Sequence, residues 1–483
     1  MNIPESEIGY SALSVVDIGR VFWWQGRLFR AILDTSAGTV EKMFDIGLFA
    51  KLTADGLFVN SWVTPYKLDG YPLVVEHEVV PVPTYPREWS FSMLKDAAQL
   101  VLALNDSARK FGYQTKDCNG YNVLFSRGKP VFVDMGSFVE VNSQADVLLS
   151  YEEFLLSYYR PLQVWTSAGQ YLGGRVAPRA LGMLFAHEAY MRYRWPICRA
   201  IGDSKLIQAS KSLSSLRTLR HNDLSMLRRR HSPWTMKLLY LMKTTGLFSG
   251  PARIRNLDRK IRRLEHLTGA TTWANYHDEF NRGQTLTPTS RFTAVVDRLA
   301  SLGIKSALEF AGNQGVLSRL LKRKLPNIQV ICTDPDGSAI DKGYRAARDA
   351  NEGIEWAIFN PFAYEGSPLE ISPEKRFRAD AVIALALTHH LTLSQNFRLE
   401  FVFDVISRYA VRYVFIEFMP LGLYNGASVP HVPDWYHEAW FKNEFCKNFE
   451  LMERFQLEPN RILFIGSIAS RRSALDESII QLR

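Results

Sequence analysis

The chain has 483 residues, 47% of them hydrophobic, with 58 Lys and Arg against 49 Asp and Glu for a formal net charge of +9. That length suits two packed domains, and the apolar content is enough to fill two cores. Cys118, Cys198, Cys332 and Cys446 stand far apart with no CxxC pair, which argues against a disulfide framework or a zinc site and for a reducing compartment. The chain has no apolar run of the roughly eighteen residues a membrane span needs, and its N-terminus lacks a charged segment followed by an apolar core, so a cytosolic location is expected.

In chain order, VFWWQGRLFRAI (21–32) reads as a strand pair and AAQLVLALNDSARKFG (97–112) as a helix. Then comes TKDCNGYNVLFSRGKPVFVDMGSF (115–138), in which Asp117 and Asn122 are followed by a hairpin and by Asp134-Met135-Gly136. This layout resembles kinases of the protein-kinase and aminoglycoside-phosphotransferase type. The resemblance implies that Asp117 orients an acceptor hydroxyl while Asn122 and Asp134 hold Mg2+ on the phosphates of ATP. No glycine-rich phosphate loop precedes Asp117 and no Val-Ala-x-Lys strand is present, leaving Lys42 and Lys51 as the early candidates. The competing reading is that the same residues merely brace the hairpin through side-chain to backbone hydrogen bonds. Residues 1–200 are therefore expected to form an α+β domain resembling a reduced protein-kinase-like fold, either active or degenerate.

Residues 201–265 read as a basic helical linker. Between 205 and 264 there are fifteen Lys and Arg against two Asp, with Leu206, Leu213, Leu216, Leu219, Leu224 and Leu227 at helical spacing and Arg228, Arg229 and Arg230 following. A basic amphipathic helix suits an anionic membrane face, an acidic partner or a phosphate-bearing acceptor, and the alternative is a solvated linker. Nucleic acid is disfavoured, because no recognition motif and no aromatic interleaving accompany the charge.

The most informative stretch is SALEFAGNQGVLS (306–318). An apolar run ends in Glu309, a small-residue turn passes through Ala311, Gly312, Asn313 and Gly315, and an amphipathic pattern begins. A helix, RFTAVVDRLASLGIK (291–305), precedes it, and a second apolar run, NIQVICTD (327–334), ends in Asp334, with Asp336 just beyond. Helix, strand, glycine turn, helix, strand and acid form the first crossover of a doubly wound sheet, where a nucleotide-type ligand lies against the turn and an acid accepts ribose hydroxyls. A dehydrogenase fingerprint needs three glycines for a pyrophosphate, and this turn keeps two. It resembles instead the first motif of class I S-adenosylmethionine (SAM) methyltransferases, departing from it at Glu309 and Ala311. The resemblance implies a SAM site at Glu309, Ala311, Gly312, Asn313, Gly315, Asp334, Asp336 and Asn360.

Further apolar runs follow: IEWAIFNPF (354–362), DAVIALALTHHL (380–391), RYVFIEFMP (412–420), FELMERFQL (449–457) and RILFIGSIA (461–469). Alternation with helices argues for a Rossmann-like α/β domain over 266–483, a seven-stranded parallel sheet closed by an antiparallel C-terminal hairpin. YPREWSFSMLKDAA (85–98), KDCNGYNVLF, PVFVDMGSF, TTWANYHDEF (271–280) and LALTHHL (385–391) resemble the group of bacterial methyltransferases related to the nodulation protein NoeA. That resemblance covers most of the chain and implies a methyltransferase that modifies a surface glycan or glycolipid.

The catalytic candidates come from the end of the fourth strand. A hydroxyl attacks a sulfonium methyl better with a general base, and imidazole has an unperturbed pKa of about 6.5. His389 holds that register, His390 is the runner-up, and Glu417 at the next strand end is placed to orient the imidazole or bind the acceptor. His431, Asp434, Trp435 and His437 fall in a Pro-, Gly- and aromatic-rich segment (426–440) that reads as an acceptor-facing loop. Two functions stand: a SAM-dependent O-methyltransferase acting on a glycan, glycolipid or nucleotide sugar, and a bifunctional protein whose N-terminal domain also uses ATP and Mg2+.

Overall fold

In a computed structural model of the protein, the described residues are 1–11, 17–141, 149–163, 165–166, 251–266, 273–282, 285–364, 370–424 and 431–468. The chain divides into one unit of Met1–Val79, Leu94–Leu124 and Pro130–Gly269, and a second of Val80–Met93, Phe125–Lys129 and Ala270–Arg483.

The first unit opens with β1 (Gly9–Tyr10), β2 (Gly19–Trp24), β3 (Arg27–Ile32), α1 (Asp34–Asp45), α2 (Leu48–Ala54), β4 (Ser61–Val63) and β5 (Leu73–His77). Its strands form one antiparallel sheet in the order β1-β2-β3-β5-β4. Alternation puts Phe22, Trp24, Phe29 and Ala31 on a face that packs with Leu68 and Val74. The expected strand pair at 21–32 is β2 and β3, and the expected helix at 97–112 lies mostly within α3 (Phe91–Arg109). Beyond it, β6 (Tyr113–Thr115) pairs with β9 (Phe138–Glu140), and between them run the hairpin strands β7 (Val123–Ser126) and β8 (Lys129–Phe132). Two further helices are α4 (Tyr151–Phe154) and α5 (Pro251–Arg262). Residues 205–250, with the leucine repeat and Arg228 to Arg230, lie outside the described residues.

The second unit contains β10 (Asn281–Arg282), β11 (Thr285–Leu286), α6 (Ser290–Ser301), β12 (Ser306–Phe310), α7 (Val316–Lys324), β13 (Gln329–Asp334), α8 (Gly337–Asp349) and β14 (Glu355–Ile358). It continues with α9 (Pro373–Arg376), β15 (Ala379–Ala384), α10 (Leu399–Tyr409), β16 (Ala410–Phe418), α11 (Glu438–Asn448), β17 (Phe449–Glu458) and β18 (Arg461–Ile468). The sheet order is β14-β13-β12-β15-β16-β18-β17, with β12 to β16 parallel and β17 and β18 antiparallel. Every apolar run expected to hold a strand does so. Central strands β12 and β15 are buried along nearly their whole length, as strands covered on both faces must be. Helix α6 starts at Thr289, whose hydroxyl accepts the Phe292 amide at 3.1 Å, and buries Phe292, Val295, Val296 and Leu299.

Two expectations are corrected. The apolar run at 380–391 is not all strand, because β15 stops at Ala384; Ala386 then turns the chain with a φ of +49° and gives its amide to the Glu417 carboxylate at 2.8 Å. The second unit also claims Val80–Met93 and Phe125–Lys129, which the sequence pattern placed in the N-terminal domain. The reasons are polar and local to this unit. The Glu88 carboxylate binds Arg376 at 2.8 Å, Ser90 Oγ and the Ser92 amide donate to Asp341 at 2.8 and 2.6 Å, and the Gly128 amide donates to Glu355 at 3.3 Å. Among the described residues no helix is long and apolar enough to cross a membrane.

Candidate active site

Strands β12 and β15 are neighbours whose onward connections run in opposite directions, so the switch point of the sheet lies beyond their carboxyl ends. Ala311 follows β12 with a φ of +51° and Ala386 follows β15 with a φ of +49°. A left-handed residue with a Cβ costs roughly 1–2 kcal/mol, and such strain concentrates at functional sites. Two alanines in that conformation at adjacent strand ends mark the crevice.

The glycine turn has a packing reason for its glycines. A Cβ on Gly312 would come within 2.7 Å of Cys332 Sγ, and one on Gly315, whose φ is +65°, would run into the Trp356 ring. Glu309 does not face the crevice as an open carboxylate. Its Oε2 accepts the Ser318 amide at 3.1 Å and the Ser318 hydroxyl at 2.5 Å, fastening β12 to the first turn of α7, and burial pushes its carboxyl up to about 7. Asp334 accepts the Asn313 amide at 2.8 Å on one oxygen and the Asp336 amide at 2.7 Å on the other, and burial raises it to about 6. Each oxygen keeps a further acceptor position, which is what a ribose diol needs. The Asn313 Oδ1 is buried without a partner. Asp336 caps α8, accepting the Ser338 and Ala339 amides, and Asn360 accepts the Phe362 amide at 3.0 Å. Asp334 and Asn313 thus keep unused polar positions at the turn, whereas Glu309 is engaged with the Ser318 amide and hydroxyl and Asp336 and Asn360 accept backbone amides.

At the ends of β15 and β16, His389 is 4% exposed and its Nδ1 is buried without a partner. Burial, the neighbouring His390, Arg461 and Arg291 push its pKa down to about 3, so the ring is neutral at ordinary pH. His390 is half-buried and shifted down by burial. Glu417 bonds neither histidine. Its side chain is fully buried between Arg291, at 3.0 and 3.1 Å, and Arg461, at 2.8 Å. It ties the strand ends together through these two guanidinium groups and the Ala386 amide. His437 caps α11 by accepting the Trp440 amide at 3.1 Å, while His431 and Trp435 are exposed beside Asp434.

The side chains between the two glycines hold down a segment ahead of the sheet. Asn313 Nδ2 donates to the Trp273 carbonyl at 2.8 Å, and Gln314 Nε2 to the Ala274 carbonyl at 2.9 Å and to Asp278 at 2.6 Å. His277, in that segment, is 9% exposed with an unpartnered Nδ1, and burial, Arg291 and Arg461 push it down to about 4. Sequence pattern assigns His277 no role within TTWANYHDEF and gives no sign of Arg291 or Arg461. The one local signal is a histidine among aromatic residues ahead of the helix that leads into β12.

In the first unit the kinase-type residues are engaged locally. Asp117 accepts the Asn119 amide at 3.0 Å, Asn122 Nδ2 donates to Ser137 Oγ at 3.1 Å, and Asp134 accepts Ser137 Oγ at 2.7 Å. Arg30 on β3 reaches Asp134 at 3.0 Å. Lys42 and Lys51 are not that cation, since they pair with Glu140 and Asp55 at 2.6 and 2.7 Å. Among the described residues no group of three or more His, Cys, Asp or Glu is arranged to hold a metal.

The mixed seven-stranded sheet, in this order and with the acid and glycine turn at its switch point, is a methyltransferase-like α/β fold. No family model matches the chain. It is similar to the nodulation protein NoeA of Rhizobium meliloti (strain 1021), 24% identical over 431 residues that make up 83% of each chain. Among solved structures it is similar to PH0226 of Pyrococcus horikoshii OT3, at 14% identity and a TM-score of 0.33 over 42% of this chain and 100% of that one. It is also similar to the N-methyltransferase NodS of Bradyrhizobium japonicum WM9, at 12% identity and a TM-score of 0.28 over 38% of this chain and 100% of that one. At such scores the structural likeness carries no weight, and the fold class rests on the strand order.

Proposed function

We propose that the second unit is a SAM-dependent methyltransferase that methylates a hydroxyl, on a glycan, glycolipid or nucleotide-sugar acceptor. The observation that carries this reading is the switch point itself, where Ala311 and Ala386 bend the chain out of the way and the Asp334 carboxylate keeps open acceptor positions. Asp334 and Asn313 would hold the cofactor, whose sulfonium makes a methyl carbon electrophilic. His389, neutral and short of a hydrogen-bond partner, takes the hydroxyl proton as the oxygen attacks, acting as a weak base because its surroundings push its pKa down to about 3; His390 is its alternative. The basic stretch at 205–264 favours an acceptor that carries phosphate or lies at an anionic membrane face.

We read the first unit as a kinase-like scaffold rather than a phosphotransferase. Its antiparallel sheet, long helix and hairpin before Asp134 follow that layout, but Arg30 already neutralises the acid that Mg2+ would need.

Calorimetry with SAM and S-adenosylhomocysteine (SAH) tests the main reading. The wild type should bind both, and Asp334→Ala should bind at least about tenfold more weakly, the loss of one charged hydrogen bond. Absence of binding by the wild type would sink it.

A further inference from the structure

The segment from Trp273 to Phe280 is pinned more firmly than a surface turn requires. Besides the bonds from Asn313 and Gln314, Lys342 donates to Asn275 and to Asp278, both at 2.7 Å. Yet Trp273 and Tyr276 leave 46% and 49% of their surface exposed. The two rings meet at 68° with centroids 5.9 Å apart, and Trp273 also stands edge-on to His390 at 5.2 Å. They form an aromatic corner beside the strand-end histidines.

The next residue behaves in the opposite way. His277 is nine-tenths buried and its Nδ1 has no partner. His389 has the same deficit, and both rings feel the same two guanidinium groups, those of Arg291 and Arg461. Those arginines direct their bonds to Glu417 instead. A buried polar group without a partner is costly, so two neutral imidazoles with unsatisfied nitrogens in one neighbourhood are a standing demand for a ligand that both donates and accepts.

We propose, resting on the methyl-transfer reading, that Trp273–Phe280 is the acceptor-recognition element and that it reads a sugar ring. The apolar face of the sugar stacks on Trp273 and Tyr276, and its hydroxyls bond the ring nitrogens of His277 and His389. A flat phenolic acceptor would fit the rings less well, because they stand at an angle rather than as a parallel-walled slot.

The test uses the full chain with SAM, following SAH formation with methyl β-D-glucopyranoside, methyl α-D-mannopyranoside and catechol as probes. A glycoside should drive SAH formation and catechol should not. Trp273→Ala and His277→Ala should each raise the KM for that glycoside by about tenfold with SAH affinity unchanged; Trp273→Ala should keep the thermal midpoint, whereas His277→Ala, which empties a buried position, lowers it. His277→Asn, whose side-chain amide restores a hydrogen-bonding group at the position of the unpartnered Nδ1, should recover most of the loss. Turnover of catechol alone, a chain that binds SAH but turns over neither glycoside, or an unchanged KM in both alanine variants would each overturn the sugar reading. A wild type that binds no SAH would overturn this reading and the methyl-transfer reading together.

Discussion

Arg291 and Glu417 lie 126 residues apart in sequence and meet through two hydrogen bonds, 3.0 and 3.1 Å long, with Glu417 fully buried. Helix α6 supplies one partner and the end of β16 the other, and Arg461 from β18 closes the group at 2.8 Å. The carboxylate also receives the Ala386 amide, so a single buried charge ties the start of α6, the end of β15 and the C-terminal hairpin to the rim of the crevice.

Breaking that group should be strongly destabilising. Arg291→Met removes one guanidinium from a carboxylate that cannot reach water, and one-sided loss from a buried pair costs on the order of 3–5 kcal/mol. Urea unfolding should report a loss of that size, whereas Arg298→Met, on the same helix and paired to the part-exposed Glu453, should cost less than about 1 kcal/mol.

Glu309 predicts a pH dependence of stability. Its carboxyl titrates at about 7 in the folded protein against an ordinary value of 4.5. The folded state therefore prefers the protonated form, so this contribution is fully present below pH 4.5 and is lost as the pH rises through about 7. Glu309→Gln removes the titration while keeping an oxygen for the Ser318 amide. It should raise the thermal midpoint at pH 8, by on the order of 1–3 kcal/mol in stability, and do little at pH 5. Equal effects at both pH values would show that Glu309 does not titrate in this range.

The strained alanines are separately testable. Ala386→Gly should stabilise the fold by about 1 kcal/mol, because glycine adopts a positive φ without the Cβ penalty. Thermal unfolding checks it; destabilisation would mean that the methyl group contributes packing worth more than the strain.

For the first unit, Asp117→Asn should leave SAH formation with a glycoside unchanged, because Asp117 is engaged with Asn119 and belongs to the other unit. The wild type should consume no ATP in the presence of Mg2+. Magnesium-dependent ATP turnover that vanishes in this variant would make the protein bifunctional.

Local pattern in the chain is enough to lay out the elements. Apolar runs such as NIQVICTD and DAVIALALTHHL, punctuated by Gly303, Gly315 and Asp334, set strands, turns and helices through periodicity and turn chemistry, and those signals act over a few residues. For the same reason Asp334 is legible at its strand end from the sequence alone. How the side chains are committed is a matter of packing. Glu309 turns to Ser318, Asp336 caps its helix, Glu417 is held by Arg291 and Arg461, and His277 comes to share a neighbourhood with His389. Most of these pairings depend on strand order and burial. Both are set by contacts between segments as much as a hundred residues apart or more, so no local pattern records them.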